Sequence, residues 1–133
     1  MALLKIISYV IGVSQLALGA LYLLTPIWFI NWQGLSAMAP DAAYPLAMLG
    51  GRFLVYGVGM FLIAQAPDKH RFWGLGMVAI QVIDLTAGLF YVATGVVPLA
   101  DAALPMFDAA LFAGLLGYGY ARLSRQPVAQ AVN

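Results

Sequence analysis

Three ionisable side chains stand inside otherwise apolar runs: Arg52 in GGRFLVYGVGMFLI, Asp84 in VIDLTAGLFYVATG and Asp108 in PMFDAALFAGLLGYG. An unpaired charge in hydrocarbon costs about 2.5 to 3.5 kcal/mol even on the forgiving insertion scale, so each is expected to be paired or neutralised. Arg52 is the one cation inside these runs. Its guanidinium stays protonated and its fork can hold two acceptors, so Asp84, Asp108 or both are its expected partners. Together with Gln15, Tyr56, Gln81 and Tyr91, these charges read as a polar ligand-binding pocket in the outer half of a helix bundle. There Arg52 would bind an anionic or carbonyl-bearing head group, Asp84 would act as acid, base or acceptor, and the tyrosines would orient the ligand. The plainer reading is a buried ion pair that sets helix register and, for Asp108 beside Pro105, a charge near a helix N-terminus.

Such residues need a scaffold, and composition says which kind. Of 133 residues, 64% are apolar and 8% charged, where an ordinary soluble domain has about 25% charged. Six Lys or Arg and five Asp or Glu are too few to cover a water-facing surface, which excludes a soluble monomer. With no Cys and one His, the chain alone can carry no disulfide, iron–sulfur cluster, zinc cluster or bis-His haem, so neither metal nor cofactor is expected. A net charge of +1 gives no support for a nucleic-acid partner.

Four runs reach the length of about 20 residues that a membrane span requires: about 6–24, 46–64, 73–97 and 105–121. The expected fold is all-α, a polytopic four-transmembrane-helix bundle in one domain. Pro26, Pro45, Pro67, Pro98 and Pro105 lie near the ends of these runs, where a missing N–H is least harmful. The flanking cations Lys5, Lys69, Arg71, Arg122 and Arg125 fall on one side, and the connections after Thr25 and Pro98 hold only Asp41 and Asp101. Because cationic flanks stay in the cytoplasm, both termini are expected inside. Ala37-Met38-Ala39 resembles a signal-cleavage site, but the preceding apolar run is long for a signal core and Pro40 follows directly, so the first span is expected to be retained. Trp28, Phe29 and Trp32 mark the start of the longer connection as a surface-lying segment, and His70, between Lys69 and Arg71, as a solvated headgroup-level loop.

Within the spans, small and polar residues form stripes: Gly74, Gln81, Asp84, Gly88, Tyr91 and Gly95 on the third, Ser8, Gly12, Gln15, Gly19 and Tyr22 on the first, and Ala113, Gly117 and Ala121 on the fourth. Such rows let helix backbones approach closely, so each should face protein. The first and third spans share Gly, Tyr and Thr at one spacing (Gly19, Tyr22 and Thr25; Gly88, Tyr91 and Thr94). The second and fourth share Pro followed by G-x-G (Pro45, Gly57 and Gly59; Pro105, Gly117 and Gly119). Two tandem helical hairpins related by an axis along the membrane normal would follow. Gln15 then corresponds to Asp84, Arg52 to Phe112 and Met48 to Asp108, so the charges are asymmetric additions to a symmetric scaffold. With 1.5 Å rise per residue, Arg52 is expected roughly 10 Å and Asp108 roughly 5 Å below the outer surface, with Asp84 nearer the midplane.

GGRFLVYGVGMFLI, a basic loop and VIDLTAGLFYVATG, with Arg52 in the second helix and Asp84 four residues before Gly88 in the third, resemble the small bacterial membrane proteins that are broadly DoxX-like. The resemblance implies a four-helix bundle in the bacterial inner membrane and an accessory role beside redox or quinone-linked complexes; it carries over no catalytic motif. Three functions follow as expectations. The first is an accessory subunit or a binder of a lipid-soluble ligand, working in the bilayer as a homo-oligomer or in a larger membrane complex. The alternatives are an oligomeric transporter or channel, and an intramembrane enzyme using Asp84 with Tyr91 or Tyr56.

Overall fold

A computed structural model describes residues 2–36 and 38–124; Ala37 of the candidate cleavage site and the flanking Arg125 lie outside the described residues. Five α-helices follow in order: α1 (Ala2–Leu24), α2 (Pro26–Trp32), α3 (Ala43–Gln65), preceded by a short 3-10 turn over Pro40–Ala42, α4 (Arg71–Ala93) and α5 (Leu99–Ser124). All but α2 are long and apolar enough to cross a membrane, which makes the chain an all-α bundle of four membrane-length helices. Lys5, Lys69, Arg71 and Arg122 gather at one end of the bundle, called here the basic end, and Asp41 and Asp101 lie at the opposite end.

Around the bundle the order is α1, α3, α4, α5, with α1 packed most extensively on α3 and α4 on α5. Contacts between α1 and α5 are fewer, and those between α3 and α4 fewer still. Glycine governs the α1–α3 contact. A Cβ on Gly50 would lie 2.8 Å from the Gly19 carbonyl oxygen, and one on Gly57 would lie 3.1 Å from that of Gly12. Two glycines seven residues apart on each antiparallel helix therefore bring the backbones together, as expected of the first-helix stripe, and bury Ser8, Gly12, Gln15 and Gly19.

The α4–α5 contact is built differently. The Tyr120 hydroxyl rests over Gly74, and Met106 packs where a side chain on Gly88 would go. The row Ala113, Gly117 and Ala121 does not make this contact, since a Cβ on Gly117 would meet nothing within 4 Å. The buried face of α5 is instead Ala102, Ala109, Leu116 and Tyr120. Ala102, Ala109 and Leu116 stand at heptad spacing on that face, which leaves the row of Ala113, Gly117 and Ala121 to one side.

Two helix boundaries differ from expectation. α4 stops at Ala93 rather than near Val97, because Gly95 takes φ +71° and the Val96 and Gly95 N–H groups bond back to the Tyr91 and Val92 carbonyls. This is a glycine-capped Schellman end. α5 begins at Leu99 rather than Pro105, which lies inside the helix. α2 forms the expected surface segment, with Pro26 in its first turn, Trp28 and Trp32 exposed, and Phe29 and Ile30 buried. Tyr22 anchors it through an edge-on contact with Phe29 at 5.0 Å.

The main apolar core sits in the basic half: Leu4, Ile7 and Ile11 of α1, Met60 and Ile63 of α3, Met77 of α4, and Leu116 and Tyr120 of α5. Pro67 is buried in the turn that joins α3 to α4.

Candidate functional site

Gln15 lies nine residues from Leu24, Arg52 nine from Ala43, Asp84 nine from Ala93 and Asp108 nine from Leu99, each counted from its helix terminus at the opposite end. At 1.5 Å per residue all four stand about 14 Å from that terminus. Across the α1–α3 contact, Gly50 meets Gly19 and Leu23 and Gly57 meets Gly12 and Leu16, so Gln15 lies nearer the level of Tyr56 than that of Arg52. Each long helix contributes one of these four polar residues.

The four are not uniformly enclosed. Gln15 is only 5% exposed, Asp108 is half-buried, and Arg52 and Asp84 are exposed. Burial changes along one stripe of each of α3 and α4. On α3, Ile63 is buried, Tyr56 is half-buried against the core, and Arg52, four residues further from the turn on the same face, is exposed. On α4, Gly74, Met77 and Gln81 are buried, whereas Asp84 and Tyr91 on the same stripe are exposed and Gly88 is half-buried. Each stripe is buried near the turn and exposed beyond it. The light packing of α3 on α4 agrees. That light packing leaves a lateral opening between α3 and α4, and Arg52 and Asp84, each thirteen residues from the turn, are exposed in the half beyond it.

The expected ion pair is not made. No N···O contact within 4.0 Å joins Arg52 to Asp84 or Asp108 among the described residues. The remaining candidates divide between core and surface. Gln81 is buried, its amide nitrogen 3.7 Å from the Met77 sulfur, and Tyr56 packs on the basic-half core. Tyr91 is 48% exposed, its ring edge-on to Phe90 at 5.4 Å. The opening thus brings Arg52, Asp84 and Tyr91 to its flanks and leaves Gln15, Gln81 and Tyr56 in the packed interior.

Two further polar groups stand in the core: the Ser8 and Tyr120 hydroxyls, both buried and without a hydrogen-bond partner. Sequence reasoning placed Ser8 on a stripe but passed over Tyr120. Its signal is the wide buried gap that Gly74 leaves opposite it.

At the free end of the second hairpin, Gly34 takes φ +81°, and a Cβ added to it would lie 3.0 Å from the Asp101 carboxylate, so the loop after α2 closes over the start of α5. Comparison of the chain with protein-family models, curated proteins and solved structures finds no match.

Proposed function

We propose that this chain is a small integral membrane protein that binds a lipid-soluble molecule in the lateral opening between α3 and α4, as a binder or accessory subunit of a membrane assembly. The carrying observation is the change of burial along α4, from Gln81 at 5% exposed to Asp84 and Tyr91 exposed on one stripe. A charged group left against hydrocarbon costs about 2.5 to 3.5 kcal/mol, so a molecule or partner that satisfies Arg52 and Asp84 there is strongly favoured. Lateral access suits a ligand that arrives through the bilayer rather than from water. Orientation follows from the basic end: Lys5, Lys69, Arg71 and Arg122 set that end in the cytoplasm, with the bacterial inner membrane as the location. An intramembrane enzyme draws less support, because Tyr56 packs in the core while Asp84 and Tyr91 flank the opening.

A photo-reactive amino acid placed at Leu49 or Tyr91 tests the reading in native membranes. Cross-links to a lipophilic molecule or to a membrane partner from these sites, and not from exposed Val13, are expected. Equal, indiscriminate labelling of bulk lipid from all three would overturn it. For orientation, the cysteine-free chain allows a clean readout: Ala100→Cys should react with an impermeant thiol reagent from outside the cell. Reaction only after the membrane is opened would reverse the topology.

A further inference from the structure

Resting on the reading of the opening as a place where Arg52 and Asp84 are satisfied from outside the chain, we infer that the partner met there is a second copy of this protein. Arg52 of each copy pairs with Asp84 of the other. Arg52 sets the demand, because a carboxyl can escape the cost of an unpaired charge by binding a proton, whereas a guanidinium stays charged wherever it stands. It is exposed well inside α3, with no carboxylate oxygen within 4.0 Å among the described residues. Of the two carboxylates well inside the other long helices, Asp108 is half-buried and Asp84 is exposed, so Asp84 is the one that another molecule can reach. It also belongs to the least covered helix: 11% of the α4 span is buried, against 33% of the α1 span.

Symmetry and two glycines point to a copy of the same chain. Copies inserted the same way round are related by an axis along the membrane normal, so α3 of one can lie only antiparallel to α4 of the other, with matching distances from the turn opposed. Two such matches exist. Arg52 and Asp84 each stand thirteen residues from the turn, and nearer to it Gly59 lies six residues before the end of α3 and Gly76 five after the start of α4. A Cβ on either glycine would meet nothing within 4 Å, so neither has a packing use in the single chain, where glycine inside a helix is unfavourable. Against a second copy the pair removes the side chains that would hold two backbones apart, as Gly12 and Gly57 do between α1 and α3. One register thus opposes Gly59 to Gly76 and Arg52 to Asp84. Because α3 and α4 are neighbours in the bundle, a two-fold axis beside them makes both sets of contacts at once and closes the assembly at two copies.

The full chain has no cysteine, so single cysteines report cleanly. Two differently tagged forms, one carrying Gly59→Cys and the other Gly76→Cys, are co-expressed and their membranes oxidised with copper phenanthroline. A disulfide joining the two tags is expected, and none above background between Val13→Cys and Leu111→Cys, which are exposed on α1 and α5. Association is then read by dilution of fluorescently labelled chain in phosphatidylcholine vesicles. Arg52→Gln should weaken it about tenfold or more, the ratio that a lost hydrogen bond to a charged group produces. A chain carrying both Arg52→Asp and Asp84→Arg should associate with itself but not with the natural chain, where like charges would then meet. Gly59→Leu, whose side chain enters open space in a single copy, should keep the fold and lose the dimer. A monomer at every dilution, equal cross-linking by both cysteine pairs, or free mixing of swapped and natural chains overturns the inference; should the charge variants fail to fold, the cysteine pairs still decide. If the dimer is absent while photo-reactive residues at Leu49 and Tyr91 still capture a lipophilic molecule or another protein, the opening stands as a binding site. If they capture only bulk lipid, both readings fall.

Discussion

Gly57 and Gly59 on α3 occupy the repeat positions of Gly117 and Gly119 on α5, and the two hairpins use them in reverse. In the first hairpin Gly57 faces the Leu16 side chain and the Gly12 backbone, and a Cβ on Gly59 would meet nothing within 4 Å. In the second, Gly117 has that open space, and Gly119 is covered by Leu4 from α1. Gly19 and Gly88 differ in a similar way: Gly19 lies against the Leu54 backbone nitrogen, Gly88 against the flexible Met106 side chain. The connections diverge too, at one repeat position. Pro26 opens α2, while Gly95 terminates α4 in a left-handed turn. A repeated letter pattern therefore sets where two helices can approach, and the partner side chains decide whether they do.

The largest test of this contrast is Gly50→Ala. Its new methyl would lie 2.8 Å from the Gly19 oxygen and 2.8 Å from the Leu23 nitrogen, both of them backbone atoms that can yield only if α1 and α3 separate. A loss of about 3 kcal/mol is expected, at the upper end of overpacking costs, and should appear in reversible unfolding from detergent micelles. Stability equal to the natural chain would mean that α1 and α3 do not touch through their backbones.

Gly88→Ala should be milder, with a loss of about 1 kcal/mol, because Met106 is unbranched and can swing aside. A double-mutant cycle with Met106→Ala should show favourable coupling, since the shortened partner makes room for the methyl. Additive losses would place Met106 elsewhere.

The smallest effect, and one of opposite sign, is expected at Gly117. Alanine there meets open space and restricts the unfolded chain, so Gly117→Ala should gain about 0.5 kcal/mol, as should Gly59→Ala on the first hairpin. A measured loss at Gly117 in detergent would restore the small-residue row of α5 as a packing face.

Much of this architecture was legible before any coordinates. Run length and charge poverty specify four membrane-length helices, because a buried backbone in hydrocarbon must satisfy its own hydrogen bonds and about 20 apolar residues in a helix do so. The first-helix stripe of Ser8, Gly12, Gln15 and Gly19 was readable from spacing alone, since residues three and four apart share a helix face. So was the amphipathic start of the long connection, from its tryptophans. The ends of α4 and α5 were less so. Apolar Val96 and Val97 continue the hydropathy past the point where Gly95 turns the chain, and a proline inside a helix looks the same in sequence as one at its start.

The candidate site shows where local information ends. Residue types named Arg52, Asp84 and Tyr91 as the side chains that apolar surroundings leave unsatisfied, and counting along each helix could rank their depths. Whether Arg52 meets Asp84 depends on the angle between α3 and α4. That angle is set by how Tyr120 seats on Gly74, how Leu4 seats on Gly119 and how the basic-half core fills, contacts among segments distant in the chain. Periodicity is a property of one helix, and the opening is a property of four, so composition and spacing determined the membrane helices and the polar residues within them, while only the packing of the bundle decided that two opposite charges stand apart.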